Sequence, residues 1–138
     1  GADGVHVGQD DLDPADARHL LGPDALIGVS THDPRQLAAA AAAPVDYVAV
    51  GPIFPTRSKS AADPVVGLDL LRQARAMTSR PLVAIGGITR ARAAEVAAAG
   101  ADGLAVISDL LAAPDLEAAA REFIRTLTEE GSRYHPRP

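Results

Sequence analysis

Leu82-Val83-Ala84-Ile85-Gly86-Gly87-Ile88-Thr89-Arg90 is the stretch on which the fold turns. Four apolar residues run into paired glycines, and Thr89 then stands at a capping position ahead of an alanine-rich run from Arg90 to Ala99. Gly100 ends that helix, and a second apolar run, Gly103 to Ile107, follows directly. Strand, helix and strand in this order predict a β/α unit with parallel pairing, because parallel strands need a crossover between them. Neither run alternates polar and apolar residues, which is how strands read when both faces of a parallel sheet are covered.

Working outward, Gly4 to Gly8, Ala25 to Val29 and Val45 to Val50 are further strand candidates, giving five β/α units in all. Asp13-Pro14 and Asp33-Pro34 each set a capping carboxylate before a proline at the first helical position, where the missing N–H costs nothing. From Gly67, residues Leu68, Leu71, Ala74, Arg75 and Met77 keep helical spacing. After Pro114-Asp115, the stripe Leu116, Ala120, Phe123, Ile124 and Leu127 predicts a last helix docked on the sheet. Residues 1–130 are expected to form one domain, and the Pro- and Arg-rich residues 131–138 a disordered tail. Gly1-Ala2-Asp3-Gly4-Val5 echoes Gly100-Ala101-Asp102-Gly103-Leu104, with Val45-Asp46-Tyr47-Val48 a looser copy. These helix-to-strand returns predict stability at the bottom of the sheet rather than chemistry. Five such units fit an open doubly wound sheet or part of an eight-stranded barrel, since local periodicity is the same in both.

The 138 residues carry 13 basic and 18 acidic side chains, a formal charge of −5, which argues against a surface that tracks nucleic-acid phosphates. No cysteine is present, so disulfides, thiolate metal sites and cysteine nucleophiles are excluded, and a reducing compartment, the cytoplasm, is the expected location. Short apolar runs broken by Gly, Pro and charge leave no membrane span.

Both architectures place their sites at strand C-termini, so the loops there carry the chemistry. Asp10-Asp11 after the first strand can hold Mg²⁺ or simply complement a helix dipole. Ser30-Thr31-His32 after the second sets hydroxyls at the rim or caps the next helix, and His32 has no identifiable partner for base chemistry. The third loop, Gly51-Pro52-Ile53-Phe54-Pro55-Thr56-Arg57-Ser58-Lys59-Ser60, is long, as lids and binding segments are. Thr56 and Ser58 can donate to phosphate oxygens, and Lys59 supplies a mobile positive charge suited to pyrophosphate. Gly86-Gly87 after the fourth strand and Ser108 after the fifth fit a phosphate cup built from neighbouring loops.

These segments together resemble thiamine-phosphate synthase, from Gly1 to about Leu127. The matching pieces are Gly4-Val5-His6-Val7-Gly8-Gln9-Asp10-Asp11, Gly28-Val29-Ser30, Val50 through Lys59, Ala84-Ile85-Gly86-Gly87-Ile88 and Val106-Ile107-Ser108. The resemblance implies a partial (β/α)8 TIM barrel with parallel strands. It also implies a transferase joining 4-amino-2-methyl-5-(diphosphooxymethyl)pyrimidine to thiazole phosphate, releasing pyrophosphate and forming thiamine monophosphate. Carried over, Asp11 is a Mg²⁺ ligand, and Ser30 and Lys59 contact the pyrimidine pyrophosphate as catalytic groups. Thr56, the Arg57 backbone, Ser58, Gly87, Ile107 and Ser108 contact the thiazole phosphate. In that family the pyrophosphate leaves first and the thiazole nitrogen captures a pyrimidinylmethyl cation, a dissociative course that needs cations and hydroxyls more than a base. Ser58 stands where the family pattern has threonine, with the hydroxyl retained.

The family has three further β/α units before the first strand here, with a second Mg²⁺ aspartate, its asparagine neighbour and a Gln, Arg and Lys cluster. A complete barrel needs roughly 200 residues or more. The expectation is therefore a C-terminal portion with exposed strand edges, inactive as a synthase alone, and completed by a missing N-terminal segment or another copy. Two alternatives remain: a thiazole tautomerase of the same family, which needs a placed acid or base but no pyrophosphate lysine, and a non-catalytic phosphate-binding fragment.

Overall fold

The computed structural model describes the backbone of residues 1–56 and 64–134, and side chains of these through residue 130. Strands β1 (Gly4–Val7), β2 (Leu26–Thr31), β3 (Tyr47–Val50), β4 (Leu82–Ile85) and β5 (Gly103–Ala105) form one sheet in the order β1-β2-β3-β4-β5. Every neighbouring pair is parallel. The helices are α1 (Pro14–Leu21), α2 (Pro34–Ala42), α3 (Gly67–Met77), α4 (Arg90–Ala98), α5 (Ser108–Leu111) and α6 (Leu116–Tyr134). The strand order never reverses, so the sheet is not doubly wound. With right-handed crossovers, each strand added on the same side puts its helix on the same face, as in a barrel wall.

Parity along the strands agrees. Ile27, Val29 and Thr31 of β2, Val48 and Val50 of β3, and Leu82 and Ala84 of β4 are all buried, and they face the helices with Leu71, Ala93 and Val96 in the core. The other face is mixed: Leu26 is 55% exposed and Ile85 37%, while Ala49 is buried at 3%. Among the described residues, one sheet face is thus covered by helices and the other is bare of them, with β1 and β5 at the two edges.

The two Asp-Pro starts behave as read: Asp13 Oδ1 accepts from Ala15 N–H at 2.8 Å and Asp33 Oδ1 from Gln36 N–H at 2.8 Å. Thr89 stands at the start of α4 without a side-chain capping bond, and Asp109 Oδ2 accepts the Arg90 N–H instead, at 3.3 Å. The last helix departs from expectation in two ways. It packs on α4 and α5 rather than on the sheet, burying Ala119 and Phe123 and leaving Leu116 and Ile124 exposed. It also continues through residues 131–134, where a disordered tail was expected.

The repeated aspartates are structural locks. Asp46 donates its N–H to Ile27 O at 2.7 Å, while its Oδ2 accepts Ile27 N–H at 2.7 Å and Arg18 Nη2 at 2.7 Å. Asp102 repeats this on β4: N–H to Leu82 O at 2.8 Å, with Oδ2 accepting Leu82 N–H and Arg75 Nη1, each at 2.8 Å. In each case an arginine from a helix, a carboxylate before one strand and the first residues of the neighbouring strand are tied at the N-terminal end of the sheet. The Ile27 N–H and then the Arg18 guanidinium hold the Asp46 carboxyl below its usual range.

Candidate functional site

Parallel pairing in consecutive order brings all five strand C-termini to one end of the sheet. The loops carrying Asp11, Thr56, Gly87, Ile107 and Ser108, and Ser30 near the end of β2, therefore share one rim. Arg57, Ser58 and Lys59 lie outside the described residues. Asp11 is exposed, and its Oδ2 accepts the Gly8 N–H at 2.7 Å, which fixes the carboxylate just past β1. The Ser30 carbonyl accepts Gln9 Nε2 at 2.6 Å, joining the β1 and β2 ends. Thr31 does not share the rim: it is fully buried and donates Oγ1–H to Ala49 O at 2.8 Å. His32 Nδ1 donates to Gly51 O at 2.5 Å, and its backbone N–H donates to Gln36 Oε1 at 2.6 Å, so neither Ser30, Thr31 nor His32 caps α2.

On the bare face below Ser30 lies a cluster to which sequence reading assigned no role. His6 Nε2 is 2.8 Å from Ser30 Oγ, and His6 Nδ1 is 2.9 Å from Tyr47 OH. The two rings stack with centroids 5.5 Å apart. Gly28 makes this possible, because a Cβ there would sit 2.0 Å from Tyr47 Cζ. Burial pushes the His6 imidazole below its ordinary value, with the Asp11 carboxylate pulling the other way. Parity was the available signal: His6 lies between Val5 and Val7, and Gly28 and Ser30 alternate with Ile27, Val29 and Thr31.

The diglycine loop is shaped by the loop after β3. Ile53 N–H donates to Ile85 O at 2.9 Å and Phe54 N–H to Gly86 O at 3.0 Å. Gly86 and Gly87 have φ of 96° and 64°, and a Cβ would meet Pro52 at 2.6 Å and Pro55 O at 2.5 Å respectively. Phe54 is held from above by the Arg92 guanidinium, 4.2 Å from its ring centroid. Val66 N–H closes on Pro52 O at 2.9 Å, pinning the base of the long loop. On the neighbouring loop, Arg90 Nε donates to Asp109 Oδ2 at 2.8 Å, and Ser108 opens α5 exposed to solvent. Asp109 thus already occupies part of the α4 N-terminus.

Among the described residues no group of three or more His, Asp or Glu converges on one position. Asp11 presents an exposed, oriented carboxylate at the rim. One or two carboxylates, completed by water and substrate phosphate oxygens, is how Mg²⁺ is usually held, so the donor set fits that ion. No helix among the described residues is long and apolar enough to cross a membrane.

The family model described as thiamine monophosphate synthase matches residues 1–110. A thiamine-phosphate synthase of Koribacter versatilis is 58% identical over 127 residues, covering 92% of this chain and 59% of its own length. One of Azorhizobium caulinodans is 47% identical over 133 residues, covering 96% and 62%. Among solved structures, a thiamine phosphate pyrophosphorylase from Pyrococcus furiosus superposes with a TM-score of 0.82 at 35% identity, covering 94% of this chain and 61% of that one. The chain spans about three-fifths of the length of these relatives. Strand order, rim composition and these likenesses agree that the chain belongs to the thiamine monophosphate synthase family.

Proposed function

We propose that this chain carries part of the active-site rim of a thiamine-phosphate synthase, acting in the cytoplasm on small phosphorylated substrates. The reaction breaks the C–O bond between the pyrimidine methylene and pyrophosphate, and the electron pair leaves with pyrophosphate. The thiazole nitrogen lone pair then forms the C–N bond, giving thiamine monophosphate with no proton released. Ser30 and Lys59 would contact the departing pyrophosphate. Thr56, the Arg57 backbone, Ser58, Gly87, Ile107 and Ser108 would hold the thiazole phosphate. Asp11 would hold Mg²⁺, which when bound supplies positive charge to the leaving group.

The observation that carries this reading is the common rim: Asp11, Gly87 and Ser108 follow three different strands and Ser30 lies in the last two residues of a fourth, yet all stand at one end of a single parallel sheet. The names of the relatives and the family support it as well. No general base is needed, which suits a rim whose His32 is already engaged with Gly51 and Gln36. Calorimetric titration tests the assignment. Pyrophosphate should bind about tenfold or more tightly with Mg²⁺ than without, and Asp11→Asn should abolish that difference. Equal affinity with and without the metal, or a metal effect that survives Asp11→Asn, would contradict it.

A further inference from the structure

The Ser30 hydroxyl ends a chain of three polar side chains on the bare face, and the chain has a direction. A neutral imidazole has one N–H and one acceptor nitrogen. If Tyr47 O–H donates to Nδ1, then Nε2–H donates to Ser30 Oγ, and the Ser30 proton is left to point away from the ring. In the opposite arrangement Ser30 donates to Nε2, Nδ1–H donates to Tyr47, and the Ser30 proton is consumed inside the cluster. A phosphate oxygen accepts hydrogen bonds and cannot donate to Ser30 when ionised, so an anion at the rim selects the first arrangement.

We infer that Tyr47 and His6 are positioning residues that turn the Ser30 hydroxyl proton outward to a substrate phosphate oxygen. This rests on the synthase reading above and assigns two further residues to its pyrophosphate end. The geometry is held from several sides. Gly28 gives Tyr47 the space to lie across β2. Gln9 fixes the Ser30 carbonyl, and Thr31 is turned into the core, so Ser30 supplies the hydroxyl on this face. Doubly protonated His6 would still donate Nε2–H to Ser30, so the outward direction does not depend on the ring's charge.

Imidazole ¹⁵N spectra of the full chain read the tautomer directly. Adding magnesium pyrophosphate should drive His6 to the Nε2–H form. Tyr47→Phe, which keeps the stacked ring, should weaken that preference and lower magnesium pyrophosphate affinity by about tenfold. In a Ser30→Ala background the same Tyr47→Phe change should have no effect on affinity, a non-additivity that a merely structural tyrosine would not show. Circular dichroism checks that each variant is folded. An Nδ1–H ring with pyrophosphate bound, or an equal loss from Tyr47→Phe with and without the Ser30 hydroxyl, overturns the inference. Failure of the unmodified chain to bind magnesium pyrophosphate counts against the synthase reading instead. The relay is then decided in the ligand-free chain, where a tautomer unmoved by Tyr47→Phe overturns it and a shifted one supports it.

Discussion

Gly87→Ala is expected to lose about 2–4 kcal/mol of stability and to abolish phosphate binding at the β4 end of the rim. Two costs add. The residue sits at φ 64°, where a side chain is strained, and its Cβ would come within 2.5 Å of Pro55 O and 2.8 Å of Phe54 Cβ. The obstructing atoms are largely backbone, so no rotamer change relieves the clash. The loop after β3 must lift off, and the Phe54 N–H bond to Gly86 O and the Arg92 contact on Phe54 go with it. Urea unfolding measures the first effect and inorganic phosphate titration the second. Wild-type stability together with wild-type phosphate affinity would show that the close approach of the two loops is not required.

Leu71→Ala should cost as much or more, about 2–5 kcal/mol, and leave the rim alone. Leu71 of α3 is fully buried in the core between helix and sheet. Truncation removes its burial and leaves a cavity that the parallel strands β3 and β4 cannot collapse into, because both are hydrogen-bonded on two sides. Measured in urea, the midpoint should fall sharply. Measured under conditions where the variant remains folded, its inorganic phosphate affinity should equal that of the unmodified chain. The pair of substitutions thus separates the fold from the site: both destabilise, and only the one at position 87 removes binding.

Much of this arrangement was legible in the residues. Asp13-Pro14 and Asp33-Pro34 located two helix starts because a capping carboxylate and a fixed proline φ are local properties. The run Leu82–Ile85 was read to the residue, since glycines bound it on one side and Pro81 on the other. The last helix was misjudged because a stripe of apolar residues specifies that a face is buried but not its neighbour; here the neighbour is α4, and Ala119 rather than Leu116 is buried. Capping of α4 by Asp109 depends on a residue that is distant in sequence, so Thr89 took the credit at the sequence level. The choice between doubly wound and singly wound sheets lay wholly in strand order, a long-range property. At the site, Asp11, Ser30, Gly87 and Ser108 could be named from loop chemistry. Tyr47 could not, because its link to His6 crosses from β3 to β1 over the gap that Gly28 leaves.

Backbone amide NMR during titration with magnesium pyrophosphate and then with inorganic phosphate tests most directly whether the five strand ends act as one anion-binding rim. Shifts should be confined to the C-terminal end of the sheet, at Gly8 to Asp11 and Ser30 with magnesium pyrophosphate, and at Gly86 to Ile88 and Ile107 to Ser108 with inorganic phosphate. Asp46, Asp102 and Gly100, at the opposite end, should not move. Shifts clustered on the Asp46 and Asp102 locks, or scattered over the helices with the rim silent, would contradict it.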